Sequence, residues 1–326
     1  MNAIEVEGLT KTYPGGVAAV KPLHFDVAPG EVFGLLGPNG AGKSTTVGML
    51  TTTVAPTAGT ARLAGFDVAR QSLAARGASS VVFQEPVVDS TLTGRASLEL
   101  HARLWGVARA KGDARIAELV EVLGLPKLVD RPVGTYSGGE RRRLEIARAL
   151  VSEPRVLFLD EPTVGLDPRI RHELLDVIAG LRERSEMTIL LTTHYLDEAQ
   201  RLCDRVAIMN RGEIAALDAP GALLEGLGGE ILETRLDGDA AAALATLRAH
   251  GIATADVFAV GSTVTLPLRR TSAAEAIAAL HATEVRVGHH DAHADARRRL
   301  SAPHRQPHGR GGLNSSPEGP VPCPLP

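Results

Sequence analysis

An α/β fold follows from three observations. Over residues 1 to about 220, short apolar runs alternate with helical patterns. Four of those runs are built on Val, Leu, Ile and Phe, as buried strands are. One of the four leads straight into a glycine-rich turn with a helical pattern behind it.

In chain order, "EVFGLLG" (31–37), "SSVVFQ" (79–84), "RVLFLDE" (155–161) and "MTILLTTH" (187–194) read as buried strands. "RVAIMNRGEIAALD" (205–218) reads as a hairpin turning at Asn210, Arg211 and Gly212. Residues 93–130 read as mainly helical, with polar faces and a Gly-Val break near Trp105. They interrupt the alternation and belong to a helical subdomain of about 85–150. The first domain spans 1–222. A small α+β domain follows over 223–288. There "EILETRL", "AAAALATLRAH", "DVFAV", "TVTLPL", "SAAEAIAAL" and "EVRV" give the order β-α-β-β-α-β of a ferredoxin-like module. From 289 to 326 the chain turns to Arg, His, Pro and Gly and reads as a disordered tail. Its histidines, His289, His290, His293, His304 and His308, are irregularly spaced. A solvated tail explains them better than a metal site does.

Composition narrows the classes. The 326 residues suffice for two modest domains, and 44% hydrophobic residues suffice for their cores. A net charge of −3 gives no reason to expect nucleic acid as a partner. Cys203 and Cys323 lack the spacing of a disulfide framework or a metal site, which suits a reducing cytosol. The sequence "MNAIEVEGLT" has neither the basic nor the apolar region of a signal peptide, and no apolar run is long enough to span a bilayer.

The chemistry concentrates in a few motifs. "GPNGAGKST" (37–45) matches G-x-x-x-x-G-K-[ST] directly after a strand and before a helix, the context of a P-loop NTPase. Gly37, Gly40 and Gly42 let the backbone curl, with Pro38, Asn39, Ala41 and Thr45 completing the loop, so that its N–H groups face phosphate oxygens. Lys43 would bridge the β- and γ-phosphates, and the Ser44 hydroxyl would ligate Mg²⁺. "VLFLDEPT" ends a strand in two carboxylates. Asp160 would hold the metal through its water shell, and Glu161 would orient and deprotonate the attacking water. His194 ends another strand within reach of the γ-phosphate, and Gln84 ends a third, where it would touch both metal and water. Tyr13, a loop aromatic, would stack on a base or simply pack.

"YSGGERRRLEIARAL" (136–150) is a helix start with a capping box, Ser137 paired with Glu140. Leu144, Ala147 and Leu150 share one side, and Arg141 to Arg143 read as a solvated helix start. Gly138 and Gly139 cost backbone entropy that a plain helix start does not need. Bare N–H groups at a helix N-terminus suit an anion.

Tyr13, the P-loop, Gln84, "YSGGE", "FLDEPTVGLD" and His194 occur in that order. Together they resemble the nucleotide-binding subunit of ATP-binding-cassette (ABC) transporters, over about residues 3 to 220. The resemblance implies ATP and Mg²⁺ as cofactors and a head-to-tail pair of subunits. Ser137, Gly138, Gly139 and Glu140 would complete the partner's ATP site, and Asp167 would run along the seam. Tyr136 and Glu140 replace the family's usual Leu and Gln. "DSTLTGRASLELHARLWGV" and "TTHYLDEAQRLCDRVAIMNRGEIAALDAP" resemble the daunorubicin-resistance type of drug-export ATPase. That implies a separate membrane permease, docked near residues 85–105, and a place on the cytoplasmic face of the membrane. Export of a lipid, polysaccharide or ion is the alternative. A single P-loop argues against ribosome-acting cassette proteins, and the short span before the signature argues against DNA-repair ATPases. The resembled subunits commonly finish on a Thr-Leu-Asp-Asp-Val-Phe-like segment. Here "GHHDAHADARRRL" stands instead, through a lineage-specific tail or a shifted reading frame.

Overall fold

The computed structural model describes residues 1–85, 87–184, 186–227, 230–235, 258–260 and 263–268. The chain opens with two long antiparallel strands, β1 (Ile4–Tyr13) and β2 (Val17–Val27). β3 (Val32–Leu36) leads through the glycine-rich turn into α1 (Lys43–Leu50). Then come β4 (Ala58–Leu63), β5 (Phe66–Asp67), α2 (Ser72–Gly77) and β6 (Ser79–Val82). The helical stretch is α3 (Gly94–Leu104), α4 (Arg109–Val122) and α5 (Gly138–Leu150). The alternation resumes with β7 (Val156–Asp160), α6 (Pro168–Arg184), β8 (Thr188–Thr193) and α7 (Leu196–Leu202). The hairpin β9 (Arg205–Asn210) and β10 (Glu213–Asp218) precedes α8 (Pro220–Leu227). Last are β11 (Glu230–Arg235), β12 (Phe258–Val260) and β13 (Thr263–Leu268).

The central sheet has the order β10-β9-β3-β8-β7-β6. Its strands run parallel except β10, which closes one edge antiparallel to β9. Alternate residues along a strand face opposite sides, and here both sides are covered. Phe33, Leu35, Phe158 and Leu190 enter the core shared with α1 and the N-terminal strands. Leu36, Leu157, Leu159, Ile189 and Leu191 enter the core shared with α3 to α7. This two-sided burial is why Val32–Leu36, Val156–Leu159 and Ile189–Leu191 are continuously apolar.

A second sheet, β2-β1-β4-β5, is antiparallel. The sequence reading did not single out its strands. Alternation is visible in Ile4-Glu5-Val6-Glu7, but register shifts after Glu7 and Leu9 break the period. Phe25 stacks on Phe33, ring centroids 5.3 Å apart, and joins the two sheets. The Gly-Val break lies where expected: Gly106, at φ +69°, takes the left-handed turn that ends α3.

β11, β13 and β12 form a separate antiparallel sheet in that order. The helices expected over 240–250 and 272–280, the strand over 284–287 and the tail from 289 lie outside the described residues.

Phe33 is fully buried between the two sheets. Phe33→Ala should cost about 3–5 kcal/mol in urea unfolding. Val17→Ala, at an exposed position, should stay within about 0.5 kcal/mol of the parent.

Candidate functional site

Loops that leave the C-terminal ends of parallel strands gather on one edge of the sheet. Pairing places Leu36 of β3 beside Thr193 of β8, and Asp160 of β7 beside Thr192. The glycine-rich turn, Asp160 and Glu161, His194 and the loop carrying Gln84 therefore share that edge.

The turn is held by its own backbone and by neighbours. Gly37 N–H donates to Thr193 O at 3.3 Å, and Ala41 N–H to Pro38 O at 3.1 Å. Gly42 stands at φ +104°, and a Cβ there would meet Ala19 O at 2.7 Å, so glycine is required on both counts. Gly42 is also the N-cap of α1 and offers no capping side chain. The first N–H groups of α1 thus remain available to an anion.

Below the turn lies a buried ionic centre. Lys43 is 4% exposed and Glu161 5%. Lys43 Nζ stands 3.1 Å from Glu161 Oε1 and donates to Gly37 O at 2.8 Å and Pro38 O at 3.3 Å. His194 Nδ1 lies 3.5 Å from Glu161 Oε2, too long for a well-formed hydrogen bond. Burial pushes the Glu161 carboxyl up, but His194 and Lys43 outweigh it and hold the group below the ordinary glutamate value. Asp160 Oδ1 accepts from Thr192 Oγ1 at 2.6 Å and from Ser44 Oγ at 3.3 Å. A seryl and a carboxylate oxygen so close are hard donors of the kind Mg²⁺ takes, so the residues present fit that ion.

Of the sequence-predicted residues, the structure brings together the loop Gly37–Thr45, Asp160, Glu161 and His194. Gln84 is exposed, and it is its carbonyl that is tied down, by Arg142 Nη2 at 2.9 Å. Tyr13, at the end of β1, is 38% exposed and lies under the Lys11 ammonium. Ser137 and Glu140 form the expected capping box: Glu140 N–H donates to Ser137 Oγ at 3.3 Å, and Ser137 N–H to Glu140 Oε2 at 2.8 Å. Gly139 is needed for a close approach, because a Cβ there would meet Ile170 Cγ2 at 2.2 Å. Asp167 caps α6 by accepting from Ile170 N–H at 3.1 Å. Among the described residues, no hydrogen bond or ion pair joins Tyr13, Ser137, Gly138, Gly139, Glu140 or Asp167 to the P-loop.

The start of α5 differs from what its sequence predicts. Arg141 to Arg143 are not a solvated helix start. Arg142 is buried, and Arg143 Nη2 pairs with Glu173 Oε2 at 2.9 Å. The i, i+3 spacing of Arg142 and Glu145 was the available signal.

Two further groups escaped the sequence reading. Thr192, fully buried, donates to Asp160 and accepts from Glu161 N–H at 2.9 Å. Glu198 accepts from Thr163 Oγ1 at 2.5 Å, Thr193 Oγ1 at 2.6 Å and Arg171 Nε at 2.6 Å. The Arg171 guanidinium lies 3.8 Å over Tyr195, whose ring is 4.0 Å from that of His194. Two threonines closing an apolar strand were the clue, since buried hydroxyls need partners.

Comparison with known proteins agrees with this geometry. Residues 20–164 match the ABC transporter family. The chain is 47% identical over 234 residues to the daunorubicin/doxorubicin resistance ATP-binding protein DrrA of Streptomyces peucetius, covering 72% of this chain and 70% of the relative. It is 44% identical over 232 residues to the Nod factor export ATP-binding protein I of Paraburkholderia xenovorans, covering 71% and 76%. Among solved structures, it resembles cbiO1 from Clostridium perfringens, part of the ABC transporter complex cbiONQ. There the TM-score is 0.64 and the identity 28%, over 69% of this chain and 91% of the other. It also resembles the ATP-binding cassette MJ0796, solved as a dimer in a post-hydrolysis state with ADP and Pi. That match has a TM-score of 0.60 and 25% identity, over 67% of this chain and 98% of the other.

The lowered Glu161 pKa has a stability consequence. Its contribution is complete above the ordinary glutamate value and is lost as pH falls through the folded value. Glu161→Gln should therefore flatten the acid limb of a plot of urea midpoint against pH. An unchanged acid limb would count against a charged Lys43–Glu161 pair.

Proposed function

The chain belongs to the ABC transporter ATP-binding family, and from that premise we propose that it powers the efflux of a drug-like or natural-product amphiphile through a separate membrane permease. One observation carries the catalytic part: Lys43, Ser44, Asp160 and Glu161 converge beside the uncapped start of α1. We assign residues 1–222 to the ATP-binding domain and 223–288 to a C-terminal α+β domain.

The loop Gly37–Thr45 receives the phosphates of ATP through the N–H groups that its own turn leaves unpaired, those of the first turn of α1 among them. Lys43 exchanges Glu161 for the β- and γ-phosphates as it does so. Ser44, Gln84 and Asp160 would hold Mg²⁺, which would neutralise phosphate charge. Release of Lys43 leaves Glu161 free to orient the attacking water and accept its proton, while His194 steadies the γ-phosphate. Tyr13 stacks on the base.

A second copy completes each site. Ser137 and Gly138 are exposed, and with Gly139, Glu140 and Asp167 they are unattached to their own P-loop. These residues meet the ATP of the partner in a head-to-tail dimer. The permease docks beside Gln84. Val87 is 58% exposed, Leu104 75% and Leu100 48%. Arg148 donates to Val87 O, and His101 on α3 is held down to about 4 first by burial and then by the Arg148 charge, so loop and helix flank one patch. Exposed apolar clusters of this kind mark interaction sites. No helix among the described residues is long and apolar enough to cross a membrane. Docked on the permease, the subunit sits peripherally on the cytoplasmic face. The Nod factor export relative favours a second reading, in which the cargo is of another class and the ATPase is the same.

Lys43→Ala should abolish turnover and weaken ATP binding, measured by titration with a fluorescent ATP analogue. Glu161→Gln should bind ATP, lose about 10²- to 10⁴-fold in rate and accumulate as a closed dimer. Tight binding by Lys43→Ala would sink the P-loop assignment.

Gly138→Asp tests the partner site. A Cβ at 138 meets only the Leu166 Cδ2 methyl, at 3.3 Å, so the fold should accommodate it. The added charge should repel the partner's γ-phosphate and block closure. Mixed with Lys43→Ala, it yields heterodimers in which one site carries both defects and the other neither. That mixture should dimerise with ATP better than either variant alone. Equal failure of all three would argue against the head-to-tail arrangement.

A further inference from the structure

The Arg142 side chain, on the second turn of α5, is 6% exposed and that of its neighbour Glu145 4%. The guanidinium donates from Nε to Pro162 O at 2.9 Å, from Nη1 to Phe83 O at 2.6 Å and from Nη2 to Gln84 O at 2.9 Å. Nη1 also donates to Glu145 Oε2 at 2.9 Å. Glu145 Oε1 accepts from Val87 N–H at 2.9 Å, and Arg148 donates to Val87 O. One helix therefore grips both ends of the Gln84 loop and the residue directly after Glu161.

Packing alone does not account for this. Burial pushes Arg142 down, with Glu145 opposing, and pushes Glu145 up, with Arg142 opposing. A buried pair of this kind is weak evidence for stability, and apolar side chains of similar volume often serve a core equally well. Apolar side chains cannot donate to three carbonyls from two separate segments. Neither can lysine, which lacks the planar fork of the guanidinium.

We propose that Arg142 is a positioning residue for ATP hydrolysis, tying the helix that begins at Ser137–Gly139 to the Gln84 loop and to the Glu161–Pro162 segment so that the three move as one unit. The proposal rests on the ATPase reading above. A load arriving at the start of α5, where the partner's nucleotide docks, reaches Gln84 and Glu161 together through one side chain. A load on the exposed face of the Gln84 loop travels the other way.

The test uses the full chain. Arg142→Lys keeps the charge and can still face Glu145, but cannot serve all three carbonyls. It should leave binding of a fluorescent ATP analogue unchanged and lower kcat by about 10- to 100-fold, the scale of a small misplacement of catalytic groups. Hydrogen exchange should quicken together in peptides covering 80–88 and 160–166, and stay unchanged in α1. Glu145→Gln leaves Arg142 in place, so it should loosen 80–88 alone and lower kcat less. A lower melting temperature with parental kcat, or loosening confined to α5, would overturn the proposal. Should Arg142→Lys fail to fold, Arg142→Gln decides: unchanged exchange over both 80–88 and 160–166 overturns the clamp. If the parent chain itself hydrolyses no ATP, the ATPase reading fails, while the exchange pattern still decides the clamp.

Discussion

A lysine and a glutamate, 3.1 Å apart and almost sealed from water, set the terms for the rest of the site. Either charge alone at that depth would be costly, so each requires the other or a substitute. The requirement reaches into the backbone. Glu161 stands at φ +45°, a left-handed conformation that costs a non-glycine residue about 1–2 kcal/mol. The turn aims its carboxylate at Lys43 rather than along the strand. Thr192 makes the turn tolerable by accepting the Glu161 N–H and donating to Asp160. One buried hydroxyl thus sets the relative placement of both carboxylates.

The two glycine-bearing helix starts solve opposite problems. α1 begins at Gly42 with no capping side chain, and its free N–H groups point into its own turn. α5 begins at Ser137 with a full capping box, which satisfies the chain locally and stiffens a start that is largely exposed. The first leaves donors open to an anion within the subunit. The second is a finished, rigid edge whose glycines let Leu166 and Ile170 pack close beneath it.

Charge is distributed unusually in this fold. Val87, Leu100 and Leu104 are exposed, whereas Arg142, Glu145, Glu198 and Arg171 are wholly or largely withdrawn from solvent. Each buried ion reaches between elements: Arg142 from α5 to the loops after β6 and β7, Glu198 from α7 to Thr163 and Thr193. Hydrogen bonds to charged groups are directional and shorter than neutral ones. They hold loops at defined angles where hydrophobic contact would let them slide.

By itself, the sequence determined the α/β class, the strands around which the site is built, the P-loop and the two carboxylates. Each depends on local order: an apolar run buried on both faces, a glycine spacing that suits a tight turn, a capping box four residues long. The antiparallel sheet was less legible, because bulges after Glu7 and Leu9 break the alternation that would have revealed β1. Only the tertiary structure decided which charges pair. That Lys43 meets Glu161, that Thr192 bridges to Asp160, and that Arg142 turns inward to Phe83, Gln84 and Pro162 follow from strands and helices remote in the chain becoming neighbours. A triplet of arginines at a helix start has the same local pattern whether solvent or carbonyl oxygens await it, and the difference lies in what the sheet brings alongside.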